Sequence, residues 1–239
     1  MAKTEFHFTF RNIERQYRIA LEEGYSFITC AEFAALKHNL TPLTVVNRVD
    51  IDLSVEKAGR LRDIFDRLGI KATFFVRLHA PEYNPFSFEN YRHLKAIRDS
   101  GHEIGYHSEV VDQAAIWDED AVDCLRRDLD VLSRIFETPI KGVASHGGMT
   151  GLNNLDFWKE RRPSDFGLVY EAYDKSPMFN LFDRSLYVSD SEWVRWKCYK
   201  GGILCQGDRR SFSEHVNDKN PLIYLLIHPE TYFDRHFYE

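Results

Sequence analysis

Hydrophobic positions along this chain change period several times. "LTVVNRVDID" (43–52) is dense in Val, Leu and Ile and predicts a buried strand. Directly after it, Val55, Ala58, Leu61, Phe65 and Leu68 recur at helical spacing, with Ser54 placed to cap the start and Gly69 to end it. The alternation then repeats. It predicts a strand at 70–76, a helix capped by Ser87 and stopped by Gly101, and a strand at 102–107. A helix at 118–136 follows, with Val122, Leu125, Leu129, Leu132 and Phe136 on one stripe, and then a strand at 140–146. Shorter runs at 166–173, 186–190, 201–207 and 221–228 have fewer clear helices between them, and two amphipathic helices, about 11–23 and 30–38, precede the first strand.

Strands alternating with helices predict a parallel sheet or barrel with right-handed crossovers. Seven or eight strands in 239 residues suit a (β/α) barrel, whose active site lies at the C-terminal ends of the strands. No G-x-G-x-x-G or Walker-type loop follows a strand, which favours the barrel over a doubly wound sheet. The chain has no linker rich in Gly, Pro or Ser, so 1–239 reads as a single domain.

Composition narrows the function. A net charge of −6 with no basic block argues against a nucleic-acid partner. The 14% aromatic content suits sugar-binding grooves, although most such rings pack in cores. Cys30, Cys124, Cys198 and Cys205 show no C-x-x-C spacing, so neither a zinc knuckle nor a redox pair is predicted and all four are expected reduced. The start lacks an apolar h-region, and the longest apolar run, Leu222–Ile227, is too short to span a bilayer. The expected location is cytoplasmic.

Chemistry-bearing residues gather where the strands end: Asp50 and Asp52, Arg77 and His79, His107 and Glu109, His146, Asp190 and His228. In a barrel those ends form one catalytic face. Asp50 and Asp52 are the sharpest pair, because residues i and i+2 share a strand face and stand roughly 7 Å apart. One of them is expected to take up a proton unless a cation lies beside them. His107 alone fits a metal ligand or a hydrogen-bonded core histidine. "SHGG" (145–148) fits close backbone approach to a ligand or a plain turn. His228 closes the most apolar strand and precedes Pro229, so it needs a partner there. His7, His38, His79, His93, His102, His215 and His236 are taken as surface or structural.

The order "RVDID" (48–52), "GIKATFFV" (69–76), "GHEIGYHSE" (101–109), "SHGG" (145–148), "YVSDSEW" (187–193) and "LLIHPE" (225–230) resembles the polysaccharide deacetylase superfamily. This superfamily is also called NodB-homology or carbohydrate esterase family 4. The likeness is to a divergent branch, similar to deacetylase-like proteins of bacterial O-antigen and capsule clusters. It implies a distorted seven-stranded (β/α) barrel, here with N-terminal helices. It also implies removal of N- or O-acetyl groups from sugars with one divalent metal, usually zinc. Carried onto this chain, it makes Asp50 the general base, His228 the general acid, and Asp52 and His107 metal ligands.

Two departures stand out. The family's H-[ST]-x-x-H motif has a second ligating histidine where this chain has Val111. His146 is the first candidate to replace it, with Glu109 and Asp112 as alternatives. The Arg-Pro-Tyr-Gly motif, whose arginine supports the catalytic aspartate, is replaced by "SHGG". Asp190 is expected to orient His228 or hold a sugar hydroxyl, and Arg77, Tyr83 and Asn84 to line a groove.

The expected function is deacetylation, N-linked in preference, of a nucleotide- or lipid-linked sugar in O-antigen or capsule biosynthesis. The alternative is an impaired family member that binds a glycan or a partner. A hydrolase of another bond, such as a phosphoester, is a further rival, but it would need more cationic groups near the site.

Overall fold

The computed structural model describes residues 8–36, 39–191 and 195–236. His7, His38, the last two residues of the expected 30–38 helix, and Glu192 and Trp193 of the "YVSDSEW" motif lie outside them.

Two helices open the described chain, α1 (Phe10–Glu22) and α2 (Cys30–Leu36), with a short strand β1 (Ser26–Ile28) between them. The alternating part follows as β2 (Thr44–Ile51), α3 (Val55–Leu68), β3 (Thr73–Val76), α4 (Phe88–Asp99) and β4 (Glu103–Ser108). Both expected caps form: the Ser54 side chain accepts from Lys57 N and that of Ser87 from Asn90 N. Gly69 ends α3 at φ 67°, a conformation that glycine adopts without steric cost.

After β4 the chain enters α5 (Val110–Trp117), for which the sequence pattern predicted no element, and then α6 (Ala121–Ile135) and β5 (Gly142–Ser145). The rest is shorter: β6 (Tyr170–Glu171), α7 (Leu181–Arg184), β7 (Leu186–Ser189), β8 (Lys197–Lys200), β9 (Ile203–Leu204), α8 (Phe212–Val216) and β10 (Leu222–Ile227).

All ten strands belong to one sheet in the order β6-β5-β4-β3-β2-β10-β7-β8-β9, with β1 also paired to β2. The seven from β6 to β7 run parallel to their neighbours, whereas β8 and β9 add on antiparallel. Of the expected distorted seven-stranded barrel, the seven parallel strands are present, but the sheet they form is not closed. Among the described residues no ladder joins β6 to β7, because β8 already occupies the free edge of β7. Side chains cross the gap instead. Tyr173 Oη stands 3.2 Å from Tyr187 Oη, and Tyr224 Oη donates to the Ala172 carbonyl at 3.3 Å.

Strand parity separates two cores. Val45, Val49 and Ile51 of β2, Phe74 and Val76 of β3, and Ile223, Leu225 and Ile227 of β10 face the helices. Val46, Phe75, Ala144, Tyr170, Tyr224 and Leu226 fill the concave side. That concave space is tight: a Cβ on Gly142 would lie 1.9 Å from the Tyr170 ring. The concave side also carries Arg48, Asp50, His107 and His228 toward the carboxyl ends of the strands.

His102 is structural, as expected. Its side chain is wholly buried, its Nδ1 accepts from Ala72 N, and its Nε2 lies 3.2 Å from Asp66 Oδ1. Burial pulls the imidazole down to about 4 although Asp66 opposes this. The unfolded chain, with a histidine near 6.5, binds more protons between those values, so stability falls as pH drops from about 6.5 to about 4. The loss from this residue is at most about 3 kcal/mol. In His102→Asn, whose amide oxygen can still accept from Ala72 N, urea midpoints should fall less over that window than in the wild type. Equal acid slopes would remove His102 as the source.

Candidate metal centre

Strand β2 delivers three polar side chains to the concave face at alternate positions: Arg48, Asp50 and, one step past the strand, Asp52. The Arg48 side chain is 1% exposed and binds Asp50 through two hydrogen bonds, Nε to Oδ1 at 2.8 Å and Nη2 to Oδ2 at 2.7 Å. Its plane packs on the rings of Tyr173 (4.8 Å) and Phe75 (5.3 Å), and Nη1 donates to Tyr224 Oη at 3.2 Å. The cation that two close carboxylates demand is thus built into the same strand. Burial alone would raise the Asp50 carboxyl, but Arg48 and His107 reverse that and hold it below the usual range. Sequence reasoning missed Arg48, though its i−2 spacing from Asp50 was the signal.

Three histidines from three strands meet Asp52. His107, near the end of β4, donates from Nδ1 to the Ala144 carbonyl of β5 at 2.8 Å, so its Nε2 is turned inward. That nitrogen lies 3.1 Å from Asp52 Oδ1 and 3.3 Å from Asp50 Oδ2. His146, just past β5, places Nε2 at 4.0 Å from Asp52 Oδ1, with its ring edge-on to His107 at 5.1 Å. His228 follows β10, with Nε2 at 3.8 Å from Asp52 Oδ2. Asp190 grips His228 twice, accepting from Nδ1 at 2.6 Å and from the backbone N–H at 3.0 Å. Burial lowers the His228 imidazole, but Asp190 outweighs it and raises the group to about 10. For Asp52, burial raises the carboxyl while His107, His228 and His146 pull it well below the usual range.

Helix α5 explains the valine. The chain leaves β4 at Ser108 and begins α5 at Val110, so Val111 packs against the core. Asp112 on that helix accepts from Met149 N, Thr150 N, Thr150 Oγ1 and Asn154 Nδ2, and so pins the loop after His146. Glu109 accepts from Arg77 at 2.7 Å, and the same oxygen lies 3.4 Å from His146 Nδ1. Asp112 therefore holds the loop after His146, and Glu109 lies beside the ring. Neither offers a ligand atom to the cluster of Asp52, His107 and His146, whose donor atoms lie within 4.8 Å of one another.

Arg77 is buried, anchored to Glu109 and to the Asp52 carbonyl at 2.9 Å. Tyr83 donates to the Ile51 carbonyl and accepts from Arg77 N, while Asn84 Oδ1 accepts from Phe86 N, so both serve the backbone of this loop. Glu230, which sequence reasoning also missed, accepts from Asp52 N at 3.0 Å. Burial and the Asp52 charge push its carboxyl up to about 7. A cavity of about 50 Å³ lined by Asp52, Asp190, Ser191, His228 and Thr231 opens beside these groups. It has room for an acetyl group or a few waters.

The donor set fits a divalent ion. Asp52 Oδ1 is buried without a hydrogen-bond partner, and it faces His107 Nε2, turned inward by a backbone carbonyl, and His146 Nε2 at 4.0 Å. One carboxylate and two imidazoles suit zinc or a similar metal.

No family model and no curated protein matches this sequence. Among the solved structures similar to it are the following three. Streptococcus pyogenes deacetylase PplD in complex with acetate is 17% identical, over 60% of this chain and 65% of that one, at a TM-score of 0.46. IcaB from Ammonifex degensii is 18% identical, over 66% and 74%, with a TM-score of 0.46. The chitin deacetylase from Colletotrichum lindemuthianum is 20% identical, over 42% and 45%, with a TM-score of 0.33. The chain spans less than two thirds of the first and third of these proteins. These are likenesses of arrangement, and the chemistry of this site rests on its own residues. Two of the three are deacetylases by name.

Proposed function

We propose that the chain is a metal-dependent hydrolase that removes an acetyl group, N-linked in preference, from a sugar. The observation that carries this reading is the convergence of Asp52, His107 and His146 at the carboxyl ends of parallel strands, between Asp50 and His228. A divalent ion bound there supplies Lewis acidity toward the acyl oxygen and the attacking water.

The remaining steps belong to side chains. Asp50, fixed in one orientation by Arg48, takes a proton from the water that adds to the acyl carbon. His228, held protonated by Asp190, gives its Nε2 proton to the nitrogen or oxygen that leaves as the acyl bond breaks. Acetate and a free amine or alcohol result. The small cavity beside Asp52 and His228 accommodates the acetyl group.

Within this reading the substrate is a nucleotide- or lipid-linked sugar destined for O-antigen or capsule. The support is the likeness of the motifs to deacetylase-like proteins of such gene clusters. No described helix is long and apolar enough to cross a membrane.

Elemental analysis tests the site directly. His107→Ala and His146→Ala should each carry one equivalent of divalent metal less than the wild type, and both should stop releasing acetate from N-acetylated sugars. Equal metal content in all three proteins would sink the hydrolase and favour a protein that binds a glycan or a partner.

A further inference from the structure

A second group of metal-competent side chains lies on the antiparallel flank of the sheet. Cys198 on β8, Asp208 in the loop beyond β9, and His215 on α8 bring a thiol, a carboxylate oxygen and a ring nitrogen within 4.8 Å of one another. Cys205 sits directly across the hairpin from Cys198. Its N–H donates to the Cys198 carbonyl at 3.0 Å, a pairing that sets the two side chains on one face of the hairpin. The turn that folds them together passes through Gly201 and Gly202, at φ 59° and 73°, where a Cβ on Gly202 would meet Asp183 at 2.4 Å. The resulting spacing is Cys-x6-Cys-x2-Asp-x6-His, with no C-x-x-C for a sequence scan to find.

His215 carries the argument. It is 1% exposed, and neither ring nitrogen has a hydrogen-bond partner. A buried imidazole left in that state is costly unless something else satisfies it. Its Nε2 stands 3.8 Å from Asp208 Oδ1, too far for a hydrogen bond. At zinc bond lengths, the ligand atoms of a tetrahedral site stand roughly 3.3–3.8 Å apart.

We propose that Cys198, Cys205, Asp208 and His215 form a structural site for a divalent, thiophilic metal ion of the zinc class. Binding displaces the two thiol protons to solvent. Arg210 steadies the carboxylate from outside, with Nη2 at 2.8 Å from Asp208 Oδ2 and Nη1 at 2.7 Å from Asp218. The two thiolates, the carboxylate, the ion and Arg210 together carry no net charge. Four protein ligands leave no open position, which is the mark of a structural site. The ion ties the outermost strands, ending at exposed Ile203, to α8, which is itself fastened to α1 through Ser213 N and Gln16.

The test uses intact wild-type protein, reduced and stripped of metal, then titrated with Co2+. Thiolate-bound cobalt gives a near-ultraviolet sulfur-to-metal charge-transfer band, which the Asp52–His107–His146 site cannot produce. The band should rise to saturation at one equivalent for this site, vanish on adding zinc, persist in His107→Ala and disappear in Cys198→Ser and Cys205→Ser. Zinc should also shield Cys205 from thiol reagents until a chelator is added, a measurement that needs no variant. Folded wild type that binds cobalt with its thiols reduced, yet shows no such band, overturns the proposal.

Discussion

Asp50→Asn should lower kcat/KM for acetate release by about 10²–10⁴ while leaving the metal content unchanged. The two effects separate because Asp50 is not one of the three residues whose donor atoms converge, although its Oδ2 lies 3.3 Å from His107 Nε2. Asparagine preserves the shape, and its side-chain oxygen still accepts from Arg48. What it loses is the capacity to take a proton from water. Parallel metal analysis and steady-state rates on an N-acetylated sugar decide the matter. Activity within tenfold of the wild type would move the base to another group. Loss of metal together with activity would make Asp50 part of the metal site.

Arg48→Met should cost about 3–5 kcal/mol of stability. Arg48 is among the largest of the fully buried side chains: it is 1% exposed, hydrogen-bonded twice to Asp50 and flanked by Phe75, Tyr173 and Tyr224. Methionine fits the apolar walls but leaves the Asp50 carboxylate buried with half its support. The double variant Arg48→Met/Asp50→Asn should recover part of the loss, because no bare charge is left behind. Arg48→Lys should restore one contact and not two, since an ammonium cannot span both oxygens. Urea unfolding of the four proteins measures each step. A cost for Arg48→Met under about 1 kcal/mol would mean that water reaches Asp50 and screens it.

The two predictions concern one strand, and that strand shows how far a linear pattern reaches. Strand β2 was legible because its apolar run is long and bounded, and α3 was legible because Ser54 and Gly69 punctuate an amphipathic stripe. Strands β8 and β9 were harder to see. Part of their edge is exposed, so burial wrote no alternating pattern into their residues, and the expected run 201–207 merged the turn with the second strand. Helix α5 was hidden for a different reason: its N-cap, Glu109, makes no side-chain cap bond, and its polar residues face inward, Asp112 to the loop behind His146 and Gln113 to Tyr106 and Asp128.

By itself the sequence determined which residues stand at strand ends. Strand periodicity assigns Asp50 and Asp52 to one face, and a run that stops at a polar residue marks the end of its strand. Distances between strands were decided only by the tertiary structure, since the order of neighbours is not written in any one of them. Parallel pairing put Ala144 opposite His107, so that the Ala144 carbonyl turned the ring inward, and it brought Asp190 of the strand next to β10 under His228. The same long-range pairing let β8 take the edge of β7 and leave the sheet open. It also folded Cys198, Asp208 and His215 together, with Cys205 across the hairpin from Cys198, although their spacing contains no C-x-x-C motif. Local spacing fixes faces and ends, whereas contacts between distant segments depend on which edges pair, and those edges compete only once the whole sheet assembles.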